Sequence, residues 1–156
     1  MTAISRRTLV TTGASLLASS ASLMMLRGVE AASHTAATSE PHMMEELRRC
    51  IHLCQDCHTL CVQMIGQCLR LGGRHAAHDH IRVLMDCAQM CMITADYLTR
   101  ESVIHDRVCG VCAEICRLCA ESCEQVAADD QLVKRCAEMC RRCGESCKHM
   151  ASKEAV

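Results

Sequence analysis

Residues 50–68 read CIHLCQDCHTLCVQMIGQC, with thiols at Cys50, Cys54, Cys57, Cys61 and Cys68. Steps of three and four residues return side chains to one face of an α-helix, with neighbouring Cβ atoms about 5–6 Å apart. The seam that usually holds Leu or Ile therefore holds sulfur. Ile51, Leu53, Leu60 and Ile65 flank it, while Gln55, Asp56, Thr59 and Gln63 face outward, the wide amphipathic stripe of a bundle helix.

The same spacing recurs along the chain: Cys87 and Cys91, then Cys109, Cys112, Cys116, Cys119 and Cys123, then Cys136, Cys140, Cys143 and Cys147, sixteen cysteines in all. Residues 112–123 (CAEICRLCAESC) and 136–147 (CAEMCRRCGESC) are identical at nine of twelve positions. Small residues sit beside the seam cysteines (Ala113, Ala120, Ala137, Gly144), where they let helix backbones approach and leave room for ions. Surface pairs are expected from Glu114 to Arg117 and from Glu138 to Arg142.

Helix boundaries follow from turn chemistry. Ser39 is a good N-cap with Pro41 in the first turn, and Gly72-Gly73 ends that helix after about Leu71. A histidine-rich turn with His75, His78 and His80 follows, then helices over about 79–99 and 102–127. Asp129 or Asp130 caps a last helix that reaches about Met150. Turns this short make neighbours antiparallel. The expected fold is all-α: an antiparallel up-down-up-down four-helix bundle over 40–151 with a Cys-lined core.

The rest of the chain reads differently. Ser5-Arg6-Arg7-Thr8-Leu9 opens an apolar, Ser/Ala-rich run to Leu26, the arrangement of a twin-arginine export signal. That run is too polar for a comfortable bilayer span. Cleavage is expected after Ala31, leaving a flexible lead over 32–39 and a tail over 152–156 of a periplasmic or otherwise extracytoplasmic protein. Removing 1–31 takes Arg6, Arg7, Arg27 and Glu30, so 14 basic face 17 acidic side chains. A formal charge of −3 argues against a nucleic-acid partner. Phe and Trp are absent and Tyr97 is the one aromatic, so ordinary side-chain burial is thin and bound metal would supply stability.

Several chemistries use many cysteines. Disulfide frameworks staple loops, whereas these cysteines lie mid-helix, and neighbours on one helix point the same way. Iron–sulfur clusters want ligands on loops that wrap the cluster. Four thiolates per zinc leave a charge of −2 at each site, with no Lys or Arg on the seam to offset it. Copper(I) is soft, accepts two or three thiolates, and at one ion per thiolate leaves the filled tube neutral.

These residues carry a resemblance. The Cys ladder, the C-[AG]-E-x-C units and the two-cysteine second helix resemble the bacterial copper storage proteins, specifically their exported, twin-arginine-signalled branch. The resemblance implies multiple Cu(I) ions per chain held by thiolates along the bundle axis, no iron cluster, and a homotetramer. It carries the ligand role to all sixteen cysteines.

Met64 lies on the thiol seam and His80 on the seam of the second helix, near Cys68 and the turn residues His75 and His78. Thioether and imidazole bind copper(I) more weakly than thiolate, which suits a loading port at that end. At the other end Met43, His105 and Met150 fall in register, with Leu47 and Leu98 as an apolar plug. His52 and His58 read as bystanders, and Met44, Met85, Met90, Met92 and Met139 as packing. Val111 and Leu118 point outward and hint at a subunit interface. The functional expectation is a non-enzymatic Cu(I) reservoir that releases ions to a copper enzyme or chaperone. The alternative is a zinc-binding or thiol-redox module.

Overall fold

The computed structural model describes residues 39–127 and 130–153. The expected export segment and most of the lead lie outside those residues. Four helices follow in order: α1 (Ser39–Leu71), α2 (His78–Thr99), α3 (His105–Ala127) and α4 (Gln131–Ala151).

Each end has a local cause. The Gly72 N–H donates to the Cys68 carbonyl at 3.0 Å and closes α1. Gly72 and Gly73 then take φ values of 69° and 55°, consecutive left-handed positions that only glycine adopts cheaply. A 3₁₀ turn over Gly73–Ala76 follows and carries His75. Asp130, rather than Asp129, caps α4: its Oδ1 accepts from the backbone N–H groups of Leu132 (2.8 Å) and Val133 (3.2 Å). α3 starts three residues later than the sequence suggests, because Ser102 serves the turn instead. Its carbonyl accepts from the His105 backbone N–H at 3.0 Å and from the His105 Nδ1–H at 2.7 Å.

α1 packs on α2 and α4, and α3 on α2 and α4, so the helices run round the bundle in chain order. Sulfur contacts fix their direction. Cys50 and Cys54 meet Cys147, whereas Cys57 and Cys61 meet Cys140, so α1 and α4 run opposite ways. None of the helices among the described residues is long and apolar enough to cross a membrane.

The repeated units meet across α3 and α4. Gly144 lies against Ala113 and Cys116: a Cβ there would sit 3.3 Å from Cys116 Cβ and 3.4 Å from the Ala113 carbonyl oxygen. Gly144→Val is expected to cost the metal-free protein about 1–3 kcal/mol by overpacking, read as a lower midpoint in denaturant unfolding. The surface pairs differ from expectation. Arg117 pairs with Glu121 at 2.8 Å, one turn on rather than back to Glu114, and Arg141 reaches Glu124 on α3 at 2.6 Å. Being exposed, these pairs contribute a fraction of a kcal/mol each.

Candidate metal centre

Every cysteine is a free thiol, and all sixteen are fully buried. Alternate turns of four amphipathic helices aim their sulfurs at one axis, and contacts between helices run from 3.5 to 3.9 Å. Five groups have all sulfurs within 4.8 Å of one another. From one end to the other they are Cys50, Cys109 and Cys147; Cys54, Cys112, Cys143 and Cys147; Cys57, Cys91, Cys116 and Cys143; Cys57, Cys61, Cys87 and Cys140; and Cys61, Cys119, Cys136 and Cys140. Each group shares at least one thiol with the next, so the sulfur lining is continuous. Cys68 and Cys123 lie beyond the last group, both buried.

The thiols perturb one another strongly. Cys57 is held far below the ordinary thiol range by hydrogen bonds from Cys116 and then Cys140. Cys91 is pushed far up, with Cys112 and Cys116 as the first causes. An ionised thiol in this core is thus stabilised only by neighbours that stay protonated. Among the described core residues there is no Lys or Arg to compensate.

The two ends differ. Beyond Cys61 lie Met64 and His80, both buried, with Cys68 Sγ 3.6 Å from His80 Nε2. His80 Nδ1 lies 2.8 Å from Ser122 Oγ. Burial pushes the Cys68 thiol up, aided by the charges of Cys136 and Asp130, and burial pushes the His80 pKa down. A neutral imidazole keeps one lone pair for a ligand. At the other end Leu98 is buried and Leu47 half-buried, the expected apolar plug, while of the three in-register candidates Met150 is buried, His105 half-buried and Met43 exposed.

His58 donates Nδ1–H to the Ala88 carbonyl at 2.9 Å and ties α1 to α2, and His52 is exposed, so both stand apart from the sulfurs. His75, a turn residue as expected, has its Nδ1 buried with no hydrogen-bond partner. The glycine pair before it was the available signal, since two left-handed residues turn the chain back under the bundle end. Ser122 was missed because Ser at that position resembles ordinary helix surface.

The profile of the family described as copper storage protein matches residues 43–152. Three solved structures are similar. The Nmul_A1745 protein of Nitrosospira multiformis is 38% identical, with a TM-score of 0.65, over 69% of this chain and 96% of that one. The Cu(I)-bound copper storage protein BsCsp3, from Bacillus subtilis, is 29% identical with a TM-score of 0.64, over 69% of this chain and 99% of that one. A cytosolic copper storage protein from Streptomyces lividans, in a structure with five coppers, is 28% identical with a TM-score of 0.61, over 70% and 94%.

The last comparison corrects one expectation. Export by the twin-arginine route to a periplasmic location was expected from residues 1–31, yet the Streptomyces lividans protein is cytosolic. Redox chemistry gives the reason. Sixteen free thiols are the state that a reducing cytosol maintains and an oxidising compartment works against. With a family match over most of its length and a continuous thiol core, this chain belongs to the copper storage protein family.

Proposed function

We propose that this protein is a Cu(I) reservoir in which all sixteen cysteines are ligands, joined at one end by Met64 and His80. The observation that carries this reading is the sharing of thiols between consecutive groups. Cu(I) needs two or three thiolates. An ion held by Cys57 keeps that bond while exchanging Cys91 and Cys116 for Cys61 and Cys87, so it moves along the axis without being stripped to water. Balance of charge points the same way. Each Cu(I) replaces one proton at full loading, and the core stays neutral, as burial requires.

Zinc is the competing reading, because four-thiol groups with contacts of 3.5 to 3.9 Å match the edge of about 3.8 Å implied by a Zn–S length of 2.3 Å. The shared members tell against it. Cys57, Cys61, Cys140, Cys143 and Cys147 each belong to two groups, so the sixteen thiols do not divide into separate tetrahedra. Tetrathiolate charge would also go uncompensated.

Storage needs no reaction at carbon or sulfur, and the protein is not an enzyme in this reading. Exposed Val111 and Leu118 on α3 support a self-association surface for a homo-oligomer, a tetramer by resemblance. Release passes to an acceptor, a copper enzyme or chaperone, whose ligands bind Cu(I) more tightly. Titration of Cu(I) into the metal-free protein against a chromophoric competing chelator is expected to reach about sixteen ions per chain, one per thiolate. Saturation at one or two ions overturns storage.

A further inference from the structure

We infer that Cys50, Cys109 and Cys147 form a trigonal site for trivalent arsenic, taken up as neutral arsenite, As(OH)₃. This is a binding activity beyond copper storage, and its failure is visible separately from the failure of storage.

The group differs in kind from the other four. It has three thiols, one each from α1, α3 and α4, all within 4.8 Å of one another. Cys50 Sγ lies 3.7 Å from Cys147 Sγ. Cys54 meets Cys147 at 3.5 Å but groups with Cys112 and Cys143 instead.

The missing corner belongs to α2. Its seam runs Cys87, Cys91, Thr94 and Leu98, in steps of four, three and four, and all four side chains are fully buried. Cys91 reaches Cys112 and Cys116 on α3, which lie further along that helix than Cys109. The next seam positions of the antiparallel α2, Thr94 and Leu98, therefore fall at the level of the three-thiol group. The Thr94 hydroxyl donates to the Met90 carbonyl at 2.8 Å and is used on its own helix. Leu98 has no donor atom.

That pattern has a chemical match. Trivalent arsenic makes three bonds to sulfur and keeps a lone pair where a fourth ligand would stand. In the other groups a fourth sulfur lies within 4.8 Å of any chosen three and crowds that lone pair. Here α2 brings no sulfur. Binding balances as As(OH)₃ plus three Cys S–H giving As(S–Cys)₃ plus three water molecules. Three As–O and three S–H bonds break, three As–S and three O–H bonds form, and arsenic stays trivalent. Reactant and product are both uncharged, so no charge enters an uncompensated interior.

Burial makes the product durable. Reversal needs three water molecules at sulfurs that are fully buried, behind buried Leu98 and Met150 and half-buried Leu47. The in-register donors nearby do not compete. The Met150 thioether has no S–H to exchange, and His105 spends its Nδ1–H on the Ser102 carbonyl at 2.7 Å.

The test adds one equivalent of sodium arsenite to the full-length metal-free protein without oxygen. Arsenic K-edge X-ray absorption is expected to show a first shell of three sulfurs and no oxygen. Cu(I) titration of that sample is expected to end about three ions short of the arsenite-free capacity, one for each thiolate withdrawn. Competition with dithiothreitol gives the affinity. Cys109→Ala is expected to weaken it at least about a hundredfold, because the third thiol acts as a tethered ligand at high effective concentration. Cys61→Ala, which takes a thiol from two four-thiol groups, is expected to change it by no more than about twofold, as for a distant independent site. Circular dichroism checks that both variants fold, and the absorption and capacity readouts need only the wild type. Oxygen left in the first shell, an undiminished Cu(I) capacity, or equal losses in the two folded variants overturns the arsenic site and leaves the reservoir intact. A Cu(I) capacity of one or two ions without arsenite overturns the reservoir, while a three-sulfur arsenic shell still upholds this site.

Discussion

Saturating the metal-free protein with Cu(I) is expected to raise its melting temperature by more than about 30 °C, a shift that follows from the composition of the core. The largest fully buried side chains are Met64, Leu84, Leu98, Val133 and Thr94, and the remaining core is mostly cysteine. A thiol buries far less apolar area than Leu or Phe, so hydrophobic burial leaves little surplus over chain entropy. Metal changes that balance by mass action. One ion at a free concentration a hundredfold above its dissociation constant adds about 2.7 kcal/mol. A few such ions match the whole stability of an ordinary domain, about 5–15 kcal/mol. At about 3–5 °C per kcal/mol for a bundle of this size, four ions already give a rise of tens of degrees. Unfolded chain also binds Cu(I) through its cysteines and reduces the shift, but it cannot hold sulfurs from four helices on one axis. Anaerobic calorimetry of metal-free and loaded samples measures the effect. A change of only a few degrees would place the copper outside the core.

The fold was legible because one residue type marks the buried face of every helix. Cys50 to Cys147 give the helical period, and Gly72-Gly73 and Asp130 give boundaries that the structure keeps. α3 was misplaced by three residues, because the sequence does not reveal that the Ser102 carbonyl is taken by His105. The candidate site was legible to the same depth. Periodicity puts sixteen sulfurs on the inner face, but it does not say which sulfurs meet. Sharing of Cys57 or Cys140 between groups depends on the axial stagger of facing helices, which only packing fixes. Side chains that act across helices stayed hidden for a similar reason: Ser122 matters through a ring on α2 that lies 42 positions away. The export segment misled in another way, since a targeting motif near the N-terminus carries no information from the redox chemistry of the core.

Proton release separates copper from zinc most sharply. In the metal-free protein Cys68 is pushed up by burial, and Cys147 by Cys109 and Cys112, so at neutral pH these sites hold their protons. Cys57 is the counter-case, held down by its neighbours. Metal binds thiolate, so each bound sulfur that was protonated sends one proton to solvent. The first Cu(I) ions take two cysteines each and are expected to release about two protons apiece; at saturation, sharing lowers the mean to about one per ion. The sign of the pH dependence follows. Because folded thiols of raised pKa are protonated at pH 7, acidification opposes binding, by about tenfold in affinity per pH unit for each proton displaced. Lowering the pH from 7 to 5 is therefore expected to weaken binding about 10²-fold for each protonated thiol that the ion displaces, so about 10⁴-fold at a site of two such thiols. Titration in weak buffer with a pH indicator counts the protons, and repeating the chelator competition at both pH values gives the slope. A count per ion that does not fall toward saturation, with ions taken up only to about one per four thiols, would reassign these sulfurs to zinc.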